Sequence, residues 1–258
     1  MRPSDRDPPP PGVCKSLISI SQTNNINERE ETMSPIKSVA FAHGIWADGS
    51  CFAKVMTPLR AEGYEVIASQ HALDDFQADV DCTIRTFAQV PGPILLVGHS
   101  YGGAVITAAG NDDRVAGLVF INALGPDETE TLQGQQDKFP KTNVFKSIKV
   151  EDGRVWMLPE GIEYFAGDLP EEEQQLVWAT ASPPAATLFG AKIESPAWRD
   201  KPCWNIVGTN DQAVHPDLER AAAKRMNGKI TEVASSHVPM LSHPDVVLDV
   251  IRDACSSL

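Results

Sequence analysis

The sequence predicts an α/β architecture: a mostly parallel sheet flanked by helices, carrying a mainly helical lid insertion. Three observations predict it. Short apolar runs of strand length alternate with stretches whose apolar residues recur at helical spacing. One run passes through Gly98-His99-Ser100-Tyr101-Gly102-Gly103 straight into a small apolar series, Ala104-Val105-Ile106, as a sheet-packed helix requires. Two later runs end in polar clusters, Thr209-Asn210-Asp211-Gln212 and Ser235-Ser236-His237. Repeated β–α units place parallel strands under helices on both faces.

Residues 1–34 read as an N-terminal extension, expected to be disordered: a proline run at 8–11 and a polar stretch after it cannot bury a core. Residues 35–258 form the domain. Its first strand, 37–42, runs into His43-Gly44-Ile45-Trp46. Ser50 offers an N-cap for a helix faced by Phe52, Val55, Met56 and Leu59 and closed by Gly63. A second strand spans 65–68. Asp74 or Asp75 caps a helix faced by Val80, Ile84 and Phe87, and the third strand, 94–97, meets the Ser100 turn. A fourth strand, 115–121, ends near Asn122-Ala123.

From about 125 to 198 the alternation stops. Clusters of Gln, Glu and Lys, scattered aromatics and Pro183-Pro184 predict a lid over the strand ends. Alternation resumes with a strand at 203–208 and a helix opened by Pro216-Asp217. A strand at 229–234 follows, then a last helix with Val247, Val250, Ile251 and Ala254 inward.

Composition narrows the class. The chain has 258 residues, 42% of them hydrophobic, enough for a sizeable core. Its 22 basic against 35 acidic residues, net −13, disfavour nucleic acid and anionic membrane surfaces as partners. The five cysteines, Cys14, Cys51, Cys82, Cys203 and Cys255, lack metal-ligand spacing and fit free thiols in a cytoplasmic protein. No metal is implied. No apolar run approaches the roughly 18 residues of a membrane span, and no secretory leader pattern opens the chain. Nothing in the sequence indicates an oligomeric state.

Ligands of open α/β sheets sit beyond the carboxyl ends of the strands. Ser100, Asp211 and His237 each fall there, in the order Ser…Asp…His. A serine hydroxyl is a poor nucleophile until an imidazole takes its proton. His237 is the expected base and Asp211 the carboxylate that orients it. Backbone N–H groups of Tyr101 and Ile45 are the expected oxyanion donors. Trp46 and His43, in the loop after the first strand, are expected to contact substrate. His243 is a rival base that precedes Pro244 at a helix start, and Asp127 is the runner-up acid. His71 and His215 line the site or sit in loops, and His99 orients a loop.

These motifs, with Gly208-Thr209-Asn210-Asp211 and Ser236-His237-Val238-Pro239, resemble the small, single-domain α/β-hydrolase superfamily. The likeness is to esterase-like members related to plant methyl-ester esterases and hydroxynitrile lyases, and it runs from about residue 36 to the last helix. It implies Ser100, Asp211 and His237 as a triad, Ile45 and Tyr101 as oxyanion donors, and no cofactor. The lyase branch carries a threonine in the first loop and a lysine after the histidine; here Gly44 and Val238 stand there, so cyanohydrin cleavage is not expected. The leading expectation is hydrolysis of a small carboxylic ester through an acyl-enzyme. Alternatives are lyase or peroxide-dependent acyl chemistry on the same scaffold, and a small-molecule receptor that retains the triad.

Overall fold

The structure, a computed structural model, describes residues 36–258. The extension expected over residues 1–34 lies outside them. The elements follow in chain order: β1 (Ser38–Ala42), α1 (Ala53–Ala61), β2 (Glu65–Ala68), α2 (Phe76–Thr86), β3 (Ile94–His99), α3 (Tyr101–Ala109) and β4 (Val115–Ile121). Next come α4 (Leu132–Gln136), β5 (Ile148–Glu151), β6 (Arg154–Met157), α5 (Ile162–Ala166) and α6 (Glu171–Ala179). The chain closes with β7 (Cys203–Gly208), α7 (Pro216–Arg225), β8 (Lys229–Val233), α8 (Pro239–Ser242) and α9 (Pro244–Ser257).

Six strands pair in the order β2-β1-β3-β4-β7-β8, every pairing parallel. The central strands are buried along their whole length, as strands covered by helices on both faces must be. From β1 the chain winds outward to β2, then returns so that β3 lies on the other side of β1. That reversal leaves a crevice between the carboxyl ends of β1 and β3, where neighbouring connections leave to opposite faces. The loops carrying Ile45 and Ser100 both begin there.

Local chemistry sets the element ends. Asp75, one of the two expected caps, accepts from Ala78 N–H at 2.9 Å and starts α2. Ser50 does not cap α1. Asp48 accepts from Ser50 N–H at 2.7 Å and caps a single 3₁₀ turn that leads into the helix. On α9, Val247, Val250, Ile251 and Ala254 are all buried.

The 125–198 segment is only partly helical. It contains the antiparallel hairpin β5–β6, where the sequence predicts a mainly helical insertion. The signal was present: Asp152-Gly153 joins two alternating runs, and both residues take the positive φ (50° and 73°) of a tight hairpin turn. The hairpin is tied back to the sheet where Trp46 Nε1 donates to Val155 O at 2.8 Å. No helix among the described residues is long and apolar enough to cross a membrane.

Candidate active site

Ser100 stands between β3 and α3 with φ 55° and ψ −123°, a conformation costing on the order of 1–3 kcal/mol for a residue with a side chain. Backbone bonds hold it there. Its N–H donates to Ile121 O at 3.1 Å, and its carbonyl accepts from Gly103 and Leu124 N–H at 2.9 and 3.1 Å. Two glycines make the turn possible. A Cβ on Gly102 would lie 2.2 Å from Ala42 O, and one on Gly44 would lie 2.6 Å from Ser100 Cβ. Either would force backbone apart.

His237 and Asp211 reach the same place from the ends of β8 and β7. His237 Nδ1 donates to Asp211 Oδ2 at 2.6 Å, with both side chains buried. Asp211 Oδ2 also accepts from Asn122 Nδ2 at 3.0 Å, while Oδ1 accepts from Ala213 and Val214 N–H at 2.7 and 3.0 Å. The carboxylate is thereby fixed against the ring, and the other ring nitrogen is left free for chemistry. Asn122 was not predicted as a site residue. A buried amide closing an otherwise apolar strand was the available signal.

Ser100 and His237 line one cavity of about 580 Å³. Ile45, Trp46 and Tyr101 form its floor and near wall, and Leu124, Leu132, Val144, Phe145, Ile148, Val155 and Phe165 contribute further apolar surface. Among the described residues, neither Ile45 nor Tyr101 gives its backbone N–H to another protein group. Tyr101 is the first residue of α3, where N–H groups are unsatisfied by the helix itself. Its side chain is anchored away from the cavity, donating to Asp79 Oδ2 on α2 at 2.8 Å. Burial raises the Asp79 carboxyl above its ordinary range.

The structure sorts the histidines. Trp46 lines the cavity, and His43 does not. Its ring stacks on His71 at 3.7 Å between centroids, beneath the loop, and its Nδ1 donates to Gly44 O at 2.9 Å. His71 in turn donates from Nε2 to His43 O at 3.1 Å, and burial lowers its pKa to about 3. The pair is neutral loop scaffolding, because an imidazolium there would be charged without solvent. His99 donates from Nε2 to His237 O at 2.8 Å, and burial holds it far below the ordinary histidine value. His215 caps α7 by accepting from Asp217 N–H at 3.1 Å. His243 contacts Ser242 Oγ at 2.9 Å, and Asp127 is paired with Arg199 at 2.6 Å. Neither rival enters the cavity.

The 125–198 segment also grips the histidine loop. His237 N–H donates to Phe165 O at 3.2 Å, and the Phe165 ring packs edge-on against the imidazole at 4.9 Å. Asp168 accepts from Ser236 N–H at 2.9 Å and from the Ser236 hydroxyl. Neither residue carried a sequence signal. Among the described residues no cluster of three or more His, Cys, Asp or Glu side chains is placed to hold a metal ion.

Comparison with known proteins agrees with this architecture. The chain is 26% identical over 250 residues to a pyrethroid hydrolase of Sphingobium wenxiniae, covering 84% of this chain and 87% of that protein. Among solved structures, a pyrethroid hydrolase from Sphingobium faniae superposes with a TM-score of 0.75 at 22% identity, covering 86% of this chain and 98% of that one. A methylesterase from Arabidopsis superposes with a TM-score of 0.70 at 20% identity, covering 86% and 100%. The sequence profile described as the alpha/beta hydrolase family matches residues 39–250. The strand–Ser100–helix turn at the sheet's crevice and that match across most of the domain lead to one conclusion: the chain belongs to the alpha/beta hydrolase family.

Proposed function

We propose that the protein is a serine esterase that cleaves a small, uncharged carboxylic ester through an acyl-enzyme. The observation that carries this reading is the buried His237–Asp211 pair, 2.6 Å apart, whose histidine lines the apolar cavity that Ser100 also lines. Ser100 Oγ attacks the ester carbonyl carbon while His237 Nε2 takes its proton. Asp211 holds the ring tautomer and balances the imidazolium. The oxyanion of the tetrahedral intermediate receives the N–H groups of Ile45 and Tyr101, each such donor being worth about 10²–10³ in rate. As the C–O bond to the alcohol breaks, His237 returns the proton to the leaving oxygen. Water then repeats the sequence on the acyl-enzyme, releasing the acid and Ser100.

The substrate class follows from the cavity. Apart from Ser100, His237 and Gln136, its lining is apolar or aromatic, so a charged acyl group would be desolvated there without a partner. The similarity to a pyrethroid hydrolase and to a methylesterase supports ester hydrolysis and leaves the alcohol open. The lyase reading gains nothing from this site. Gly44 has no room for a side chain beside Ser100, and Val238 supplies an apolar, buried group after His237.

A fluorophosphonate probe is expected to label Ser100 alone, located by mass spectrometry of the digested adduct. Ser100→Ala is expected to abolish labelling and to lower turnover of short aryl esters by about 10⁴-fold or more. Labelling at another residue, or a folded Ser100→Ala protein that keeps its turnover, overturns the proposal. No ester turnover by the unsubstituted protein, with tight binding of one ligand, would make it a receptor instead.

A further inference from the structure

Behind the Asp211–His237 pair lies a carboxyl that the reaction above does not use. Glu219, in the first turn of α7, is 3% exposed. Its Oε2 accepts from Gly208 N–H at 3.2 Å, while Oε1 is buried without any donor. The neighbouring Arg220 turns outward to Asp217 and Glu232 and leaves Glu219 without a hydrogen-bonded cation. Glu219 instead stands in hydrogen-bonding contact with the carboxyl of Asp211. The four donors around Asp211, from Asn122, Ala213, Val214 and His237, are spent on Asp211 itself.

Two ionised carboxylates in contact inside the protein, with no cation between them, repel one another and lose solvation. One proton resolves both defects. It turns an acceptor facing an acceptor into a donor facing an acceptor, and it gives the orphaned oxygen a partner.

We propose that Glu219 is a positioning residue for ester hydrolysis, held as a neutral carboxylic acid whose O–H donates to the Asp211 carboxylate. The proposal rests on the reading of Asp211 and His237 given above. The ionisable groups that bear on it come from three elements. Asp211 stands on the loop after β7, His237 beyond it on the loop after β8, and Arg220 on α7 itself. Burial first, and then the Asp211 charge, push the Glu219 carboxyl well above the ordinary glutamate range. The extra donor spreads the Asp211 charge and weakens it as a base toward His237. Without it, Asp211 holds the imidazolium more strongly.

The test pairs a direct view of the proton with kinetics. An infrared difference spectrum at pH 7 between the unsubstituted protein and Glu219→Gln is expected to show one protonated-carboxyl C=O band that the variant lacks. Absence of that band overturns the proposal. Glu219→Ala is expected to lower kcat about tenfold with KM changed less than about twofold, and to move the acid limb of kcat/KM up by about half a pH unit. Glu219→Gln, whose amide can accept from Gly208 and donate to Asp211, is expected to restore both. A folded Glu219→Ala protein with unchanged kcat and acid limb overturns the proposal, as does a Glu219→Gln protein as impaired as Glu219→Ala. Where Glu219→Ala does not fold, the infrared band and the Glu219→Gln profile decide. Failure of the esterase reading shows separately, as probe labelling away from Ser100, and leaves the infrared band untouched.

Discussion

Ser100 shows what one residue can and cannot do alone. Its positive φ lifts the hydroxyl into the cavity, and bonds from its N–H and carbonyl hold the strain in place. In the proposed reaction its chemistry comes from Asp211 and His237, far away in sequence and joined at 2.6 Å. The orientation supplied by Asp211 is a matter of tautomer as much as of charge. Asp211→Asn keeps the size of the side chain but presents an amide N–H or a neutral oxygen to Nδ1. It is expected to fold and to lose about 10³–10⁴ in kcat, as steady-state kinetics with an aryl ester would read. A loss of less than tenfold would remove Asp211 from the mechanism. Gly44 makes the complementary steric point: a Cβ there would meet Ser100 Cβ at 2.6 Å, so the loop after β1 lies this close to the Ser100 turn only with glycine at that position.

Among elements, the contacts from the 125–198 segment to the loop carrying His237 matter most. The His237 backbone is held from two sides, by His99 Nε2 from β3 and by Phe165 O from α5. Asp168, just after α5, adds a carboxylate on Ser236 N–H and hydroxyl. Asp168→Ala leaves a largely buried N–H without its acceptor, a change worth about 1–2 kcal/mol. It is expected to lower thermal stability modestly and to reduce kcat more than it raises KM, because it loosens the base and leaves the cavity wall in place. Differential scanning calorimetry with kinetics would check this, and a rise in KM at constant kcat would place Asp168 in substrate binding instead. The β5–β6 hairpin shapes the same cavity through Ile148 and Val155, so part of the pocket is strand where the composition of the segment reads as helix.

For the molecule as a whole, the winding of the sheet puts the loops after β1 and β3 on either side of one crevice, while the loops after β7 and β8 bring the paired Asp211 and His237 to it. The buried carboxyl of Glu219 then ties stability to pH. Its folded-state value lies well above that of an unfolded glutamate, so between the two the folded chain holds the extra proton. The stability it contributes is complete below the unfolded value and is lost as pH rises through the folded value. Glu219→Gln has no proton to lose. Urea unfolding between pH 5 and pH 9 is therefore expected to show its stability advantage growing with pH, by at most about 1.4 kcal/mol per unit. A difference independent of pH would show that Glu219 is ionised in the folded protein throughout.

The sequence by itself determined the chain order of the six parallel strands, the Ser100 turn and the positions of Asp211 and His237. Those properties are local: apolar period, glycine at a crowded turn, and polar residues at strand ends all act over a few neighbouring residues. Only the tertiary structure decided that His43 lies under its loop and Trp46 in the cavity, for a single residue's twist at Trp46 (φ 56°) leaves no mark in composition. The roles of Asn122, Phe165, Asp168 and Glu219 are set by tertiary contact in the same way. Each acts across a gap closed by folding, and a carboxyl such as Glu219 reads in the sequence as ordinary helix-start acid until burial against Asp211 changes which proton it keeps.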